Sequence, residues 1–397
     1  MEDSVKAVLS SMSSIKKPQK LFLQILFSVL MAFQGKATFR NMSRYCSMNE
    51  RRFSRWYQRS FNFAEFNRRL LEQELPDNTE RIAAIDTSFM QKSGKKTEGL
   101  SWFYHSQSSK AEKGLEISLV CTIDIKANTA YALDVKQTFD HKVGTRVDTY
   151  ANQISELSDS FKSQGIQYLA ADAYYSKVKF IDKIRSVGLH MIGKLRCDAD
   201  MQWLYEGDYS GLGRPKEYDG KIDLHSELSR LDYHGNLDNG ADVYSKVVHV
   251  KRFKRKVRIV LLRWVTEGKI RSALLFSTDT SLKPMKIIQY YQARFQIEFL
   301  FRDGKQYTGL MDCQARSKEA IHTHVNASLT TLNLLKLEDR RQKQTTDETV
   351  ISIASWRRKK FNQNLMEKLF EGLDLDRDCE KVVLIYDQLS DYGAIAA

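Results

Sequence analysis

Apolar and polar positions keep two different periods along this chain, and the switches between them mark its elements. Residues 1 to about 75 hold a helical spacing. The longest apolar run, Leu21–Phe33, predicts one strongly hydrophobic helix ending near Gly35. Residues 38–45 predict a short second helix. Ser47-Met48-Asn49-Glu50 is a capping-box pattern, with Ser47 as the cap, that launches a basic helix over Arg51–Arg59. Pro76-Asp77-Asn78-Thr79 is a turn cluster, and beyond it the period becomes that of strands. Arg81–Asp86 reads as a buried strand ending on an acid. Leu115–Ile125 and Tyr131–Thr138 read as two more strands around a turn, and Val147–Ser163 as an amphipathic helix. After Gly165, the apolar strand 166–172 again stops at an acid, and Leu189–Leu195 supplies a fifth strand.

The next stretch departs from that rhythm. Between about Asp198 and Ser277 lie two loop signals, Gly211-Leu212-Gly213-Arg214-Pro215 and Asp238-Asn239-Gly240. Two β-rich runs follow, Val243–Val250 and Val257–Trp264, joined by Lys251-Arg252-Phe253-Lys254-Arg255-Lys256. They predict a hairpin with a heavily basic tip, a composition that suits phosphate. After Pro284 the pattern is helical again. Tyr290–Lys305 predicts a single helix, with Phe295, Phe299, Leu300 and Phe301 spread round it as on a helix covered on more than one side. Ile321–Lys336 predicts an apolar helix behind it. A polar linker from about Gln342 leads to a helical extension over Ile351–Phe370.

These elements divide the chain into a helical domain (1–76), the first part of an α/β core (77–197), a β-rich insertion (198–277), the second part of the core (278–342) and a C-terminal helical extension (343–397). Three antiparallel strands, a helix, a strand with an acid at its end, then a further helix and strand make a ribonuclease H-like order: a mixed sheet flanked by helices.

Composition narrows the partners. Lys and Arg number 62 against 49 Asp and Glu, a net charge of +13, which calls for a polyanion. The five cysteines are scattered with no CxxC pair, so neither a disulfide framework nor a zinc site is indicated and a reducing cytoplasm fits. The Leu21–Phe33 run falls short of the roughly 20 residues a membrane span needs, and no secretory signal stands out. Near the start, Arg51, Arg52 and Arg55 flank the inward-facing Phe53, Trp56 and Tyr57. A short helix, a tight turn and a basic helix form a helix-turn-helix-like pattern for reading DNA. A small helical domain with a basic surface would have the same composition.

The chemistry concentrates at three acids. An aspartate ending an apolar strand is costly unless its carboxylate binds something, which singles out Asp86 and Asp172. Asp124 and Asp134 are rivals on the neighbouring strands, for which a solvent-facing position is the simpler reading. On the Tyr290–Lys305 helix, Tyr291, Arg294, Glu298, Arg302 and Lys305 fall within about 80° of one another. An acid flanked by Arg and Lys on one stripe is suited to hold a metal ion beside a phosphate. A solvated face with Arg294–Glu298 and Glu298–Arg302 ion pairs is the bland alternative. Three converging carboxylates need cations; oxygen-only ligands select Mg²⁺, with Mn²⁺ as a substitute. His322 and His324, two apart on a helix, would not share a face and read as structural.

The spacing Tyr291-(2)-Arg294-(3)-Glu298-(6)-Lys305 resembles the Y-(2)-R-(3)-E-(6)-K signature of insertion-sequence transposases with a DDE triad and a ribonuclease H-like core. Asp86-Thr87-Ser88 followed by Lys92-Ser93-Gly94-Lys95-Lys96 resembles their first-aspartate block, and the resemblance covers residues 20–370. It implies a metal-dependent DNA nuclease and strand transferase with Asp86, Asp172 and Glu298 as catalytic metal ligands for two ions. It implies phosphate contacts from Tyr291, Arg294, Arg302 and Lys305, with Arg51, Arg52, Arg55, Lys254 and Arg255 as further DNA contacts. The partners implied are double-stranded DNA (terminal inverted repeats and target) and a second copy in a synaptic homodimer, at the nucleoid in the cytoplasm. Some relatives park a flipped base on a tryptophan of the insertion; that position is Ala273 here, which departs from the pattern. A different ribonuclease H-like nuclease and a non-catalytic DNA-binding relative are the competing readings.

Overall fold

The computed structural model describes residues 1–106, 108–139, 144–209, 211, 213–224, 226–343, 351–376 and 378–394. The expected linker after Gln342 and Leu212 of the first loop signal lie largely or wholly outside them. Five helices open the chain: α1 (Glu2–Ser11), α2 (Lys17–Ala32), α3 (Phe39–Met42), α4 (Glu50–Tyr57) and α5 (Phe63–Glu74). The apolar α2 is buried along much of its length. Helix α4 is capped by Asn49 and not by Ser47: the Asn49 side chain accepts the Arg52 N–H at 3.0 Å. Asn caps as well as Ser, and Asn49 is the last extended residue before the helix. Arg51, Arg52 and Arg55 are exposed, while Phe53 and Tyr57 are buried and Trp56 stacks on Phe22 at 5.4 Å.

The sheet begins with β1 (Arg81–Gln91), β2 (Ser101–His105), β3 (Lys110–Asp124) and β4 (Thr129–Thr138). Helices α6 (Arg146–Glu156) and α7 (Ser158–Ser163) follow, then β5 (Tyr168–Ala171), α8 (Val178–Ser186) and β6 (His190–Leu195). Strands β1, β3 and β4 are antiparallel, and β5 and β6 join β1 in parallel. Three details differ from the pattern reading. Strand β1 continues past Asp86 to Gln91, because β3 pairs with it along its whole length. Strand β2 pairs with the start of β3. The 147–163 helix is broken at Leu157.

The insertion supplies β7 (Met201–Leu204), β8 (Tyr218–Lys221), β9 (Asp232–Asn236), β10 (Asp242–Val250), β11 (Arg255–Thr266) and β12 (Lys269–Ser277). It extends the core sheet instead of standing apart: β12 pairs antiparallel with β6, giving one twelve-stranded sheet. At the tip of the β10–β11 hairpin, Lys254 turns the chain in a left-handed conformation (φ 52°). Arg255 there pairs with Asp182 of α8.

Helices α9 (Pro284–Ala293), α10 (Gln296–Tyr307), α11 (Lys318–Gln342), α12 (Ile353–Gly372) and α13 (Glu380–Ser390) complete the described chain. The predicted single helix 290–305 is thus two helices. At the junction the Phe295 and Glu298 N–H groups bond three residues back, to Gln292 and Phe295, a tightened turn that ends one helix and starts the next. Burial on α10 is one-sided: Ile297, Leu300, Phe301 and Gly304 are buried, while Phe295 and Phe299 are 47% and 40% exposed. Guanidiniums cover those two rings, Arg294 over Phe295 and Arg302 over Phe299, each at 4.6 Å.

Two cores lie on opposite faces of the sheet. One gathers the N-terminal helices with α9–α12; the other gathers α6–α8 with the insertion. Alternation along β1 sends Ile82 and Ala84 to the first and Ala83 and Ile85 to the second. The free edge of β4 is covered by side chains of α11. Asn333 accepts from Ala132 N–H at 2.8 Å and donates to its carbonyl at 2.7 Å; Asn326 does the same for Val135 at 3.0 and 2.8 Å. Two asparagines seven residues apart thereby imitate a neighbouring strand and close the edge.

Candidate active site

Asp86 and Asp172 are brought together by strand register. Ile85 of β1 is paired with Ala171 of β5 in parallel, so the next residue on each strand is an aspartate at the same level. Both continue the alternation toward the face carrying α10, since Ala84 and Ala170 belong to that core. Asp172 ends its strand and caps the short helical turn Ala173–Tyr175, accepting the Ala173 N–H at 2.6 Å. Asp86 accepts the Thr87 N–H at 2.8 Å.

Glu298 reaches the same place from α10 through Arg294. The Arg294 guanidinium lies 3.5 Å from Asp86 Oδ2 and 3.3 Å from Glu298 Oε1. Its side chain is 6% exposed, against 25% for Asp86 and 51% for Glu298, so the cation is the innermost member of the group. Burial pushes the Asp86 carboxyl up to about 6. The Thr87 N–H and Arg294 pull it down, and the Asp172 and Glu298 charges add to the rise, a sign that all three acids share one field. Tyr291 lies below the guanidinium, 5.7 Å from ring centroid to Arg294. Burial raises its hydroxyl, Arg294 lowers it, and Asp172 and Asp86 raise it further. Arg302 and Lys305 are exposed on the next turns of α10, with Arg302 held to Asp303 at 2.9 Å.

Among the described residues no three Asp, Glu, His or Cys side chains are grouped closely enough to share one metal ion. The reason is visible: Arg294 stands between Asp86 and Glu298. The donor set nevertheless suits a hard divalent cation. It is all oxygen, burial leaves its most enclosed carboxyl raised and in want of positive charge, and Glu298 is half exposed.

The rivals lie elsewhere and are not solvent-facing. Asp124 is fully buried against Arg340 at 2.5 Å. Asp134 is buried and accepts from Gln153 at 3.0 Å. Each has a structural partner from a distant helix. His324 is buried and its ring nitrogen meets the Gly309 carbonyl at 2.9 Å. Trp203 is buried and Trp264 half-buried.

Two features carried no sequence signal. Glu80, just before β1, takes the Tyr290 hydroxyl at 2.5 Å and the Lys286 ammonium at 2.7 Å, tying α9 to the start of the Asp86 strand. Tyr175 has a buried hydroxyl with no hydrogen-bond partner among the described residues, raised by burial and then by the Asp86 charge.

Comparison with known proteins supplies the frame for this geometry. The family model described as "Transposase DDE domain" matches residues 77–334. No curated protein matches the chain. Among solved structures, a cryo-EM piggyBac transposase synaptic complex with hairpin DNA aligns at TM-score 0.42 and 11% identity, covering 98% of this chain and 81% of that one. The NurA nuclease from Sulfolobus solfataricus aligns at TM-score 0.24 and 11% identity, covering 70% of this chain and 92% of that one.

Proposed function

The chain belongs to the DDE transposases, metal-dependent nucleases and strand transferases of DNA, and we infer that Asp86, Asp172 and Glu298 are its catalytic triad. The observation carrying this reading is the parallel register Ile85↔Ala171, which sets two aspartates side by side on the face where Glu298 arrives. The family uses divalent cations; here Asp86, Asp172 and Glu298 would hold them, as two Mg²⁺ ions replaceable by Mn²⁺. When bound, such ions activate the attacking oxygen and stabilise the leaving 3′-oxygen of an in-line phosphoryl displacement.

The protein's own groups do the rest. Arg294, with a planar fork suited to phosphate, and the exposed Arg302 and Lys305 align the strand along α10, and Tyr291 braces Arg294. Arg51, Arg52 and Arg55, exposed on α4, bind the DNA of the element ends. Lys254 and Arg255 bring positive charge to the insertion tip, where Arg255 is shared with Asp182. The substrates are terminal inverted repeats and a target duplex, engaged by a homodimer at the nucleoid. Residues 1–76 act as the DNA-binding unit, 77–197 and 278–342 as the catalytic core, 198–277 as its insertion and 343–397 as an extension. Among the described residues no helix is long and apolar enough to cross a membrane.

The test is a set of three isosteric variants, Asp86→Asn, Asp172→Asn and Glu298→Gln. Each is expected to abolish Mg²⁺-dependent end cleavage and strand transfer while retaining DNA affinity in a gel-shift assay. Full cleavage by any one of them removes that residue from the triad.

A further inference from the structure

Arg294 is placed unlike an ordinary surface arginine. Its guanidinium is buried at the α9–α10 junction, stacked on the Phe295 ring at 4.6 Å and beside Tyr291. It divides itself between two acids, at 3.5 Å to Asp86 and 3.3 Å to Glu298. A good Arg–carboxylate pair is bidentate, at about 2.7–2.9 Å. Here neither acid receives that, and the buried Nε donor has no hydrogen-bond partner among the described residues. The pairing therefore supplies positive charge where the acids need it, but with geometry poor enough to be given up. Glu298 is half exposed, and the Arg294 head group is held by ring contacts and two long ion pairs, with no bidentate bond to either acid.

We propose that Arg294 is a resident counter-ion that competes with divalent cations: without DNA it bridges Asp86 and Glu298, and a DNA phosphate draws it off so that DNA and metal load together. The inference rests on the assignment of Asp86 and Glu298 as metal ligands. Linkage makes it reciprocal: whatever factor DNA adds to metal affinity, metal adds to DNA affinity. The device would keep a nuclease site from filling before a strand is in place.

The experiment is a Mn²⁺ titration of the full chain, following free Mn²⁺ by electron paramagnetic resonance, with and without sonicated duplex DNA. Arg294→Met, which keeps an unbranched side chain without the charge, and Arg294→Ala are each compared with the parent after a melting curve confirms folding. Without DNA, both should bind Mn²⁺ about tenfold more tightly, the size of two modest ion pairs removed. Duplex DNA should tighten Mn²⁺ binding in the parent and do so much less in the variants. Lys162→Met, which removes an exposed charge from the last turn of α7, should leave Mn²⁺ affinity within about twofold.

Folded Arg294 variants that bind Mn²⁺ no better than the parent overturn the proposal, as does an equal gain in Lys162→Met, which would reduce the effect to net charge. Asp86→Asn separates this from the triad itself. If it binds Mn²⁺ as the parent does, the ligand assignment fails. If it loses Mn²⁺ while Arg294→Met is unchanged, only the counter-ion role fails.

Discussion

Removing the charge of Asp86 should stabilise the metal-free protein, in a pH-dependent way. Burial lifts this carboxyl from 3.8 to about 6 in the folded chain. Each tenfold change in proton affinity is worth ~1.4 kcal/mol, so the rise corresponds to ~3 kcal/mol as an upper figure for a side chain still a quarter exposed. Because the folded state holds the proton more tightly than the unfolded chain, folding takes up protons between the two values. Stability is then undiminished below the unfolded value near 4, falls as pH rises, and has lost its full amount above about 6. Asp86→Asn carries no charge to bury. Relative to the parent it should be more stable by ~1–3 kcal/mol at pH 8 and equal to it at pH 4. Arg294 retains Glu298 in the variant, which limits the offsetting loss. Urea midpoints at the two pH values, without metal, measure the difference. Added Mn²⁺ should then raise the parent's midpoint at pH 8, through a stability gain of ~2.7 kcal/mol at a hundredfold excess over Kd, and leave the variant's unchanged. A variant whose advantage over the parent is the same at pH 4 and pH 8 would refute the assignment of that titration to Asp86.

Three further outcomes follow from the geometry. Asn333→Leu strips the Ala132 N–H and carbonyl of their partners; at ~1–3 kcal/mol for each buried group left unsatisfied, the urea midpoint should fall sharply, and an unchanged midpoint would show the β4 edge to be solvated. Arg51→Ala, Arg52→Ala and Arg55→Ala combined should flatten the dependence of log affinity on log salt by about 2.7 if each contacts one phosphate, with the melting temperature unaltered; an unchanged slope takes α4 off the DNA. Gly309→Ala puts a Cβ 2.4 Å from that of Ala37 at a residue with φ 71°, so a loss of about 2 kcal/mol or more is expected, read from thermal unfolding.

What the sequence made legible was local. An acid closing the apolar stretch before it marks Asp86 and Asp172 because a strand's alternation is written in consecutive residues. The Arg294–Glu298 relation is likewise one turn of helix, and it survives the junction that splits the predicted helix in two. What stayed hidden was long-range. The partners of the buried Asp124 and Asp134 are the half-buried Arg340, 216 residues on, and Gln153 on the helix that follows β4, and nothing adjoining either acid announces them. Pairing of β12 with β6 merges the insertion into the core sheet, whereas its hydrophobic pattern would suit a separate domain equally well. Asn326 and Asn333 look like polar interruptions of an apolar helix until β4 is laid against them. The exposure of Phe295 and Phe299 is hidden for a related reason: apolar residues round a helix say that contacts exist, not that guanidiniums supply them.

The three acids are not held alike, and the difference bears on how the site works. Asp86 and Asp172 stand on adjacent parallel strands whose backbone hydrogen bonds fix their separation, and each carboxylate is further held by a backbone N–H. Among the described residues Glu298 shows no such tether; it sits on the first turn of α10 just after a break between helices, with an ion pair to a residue that is itself shared. If the proposed triad assembles when DNA arrives, two acids held by backbone N–H groups and one held by a shared ion pair would suit it, since only the third would have to change place. The strand-borne half carries a cost, an Asp86 carboxyl raised by burial, and Arg294, shared with Glu298, offsets part of it. Stiffening Glu298 in its present position would therefore favour the guanidinium over a metal ion, while loosening β1 against β5 would cost both.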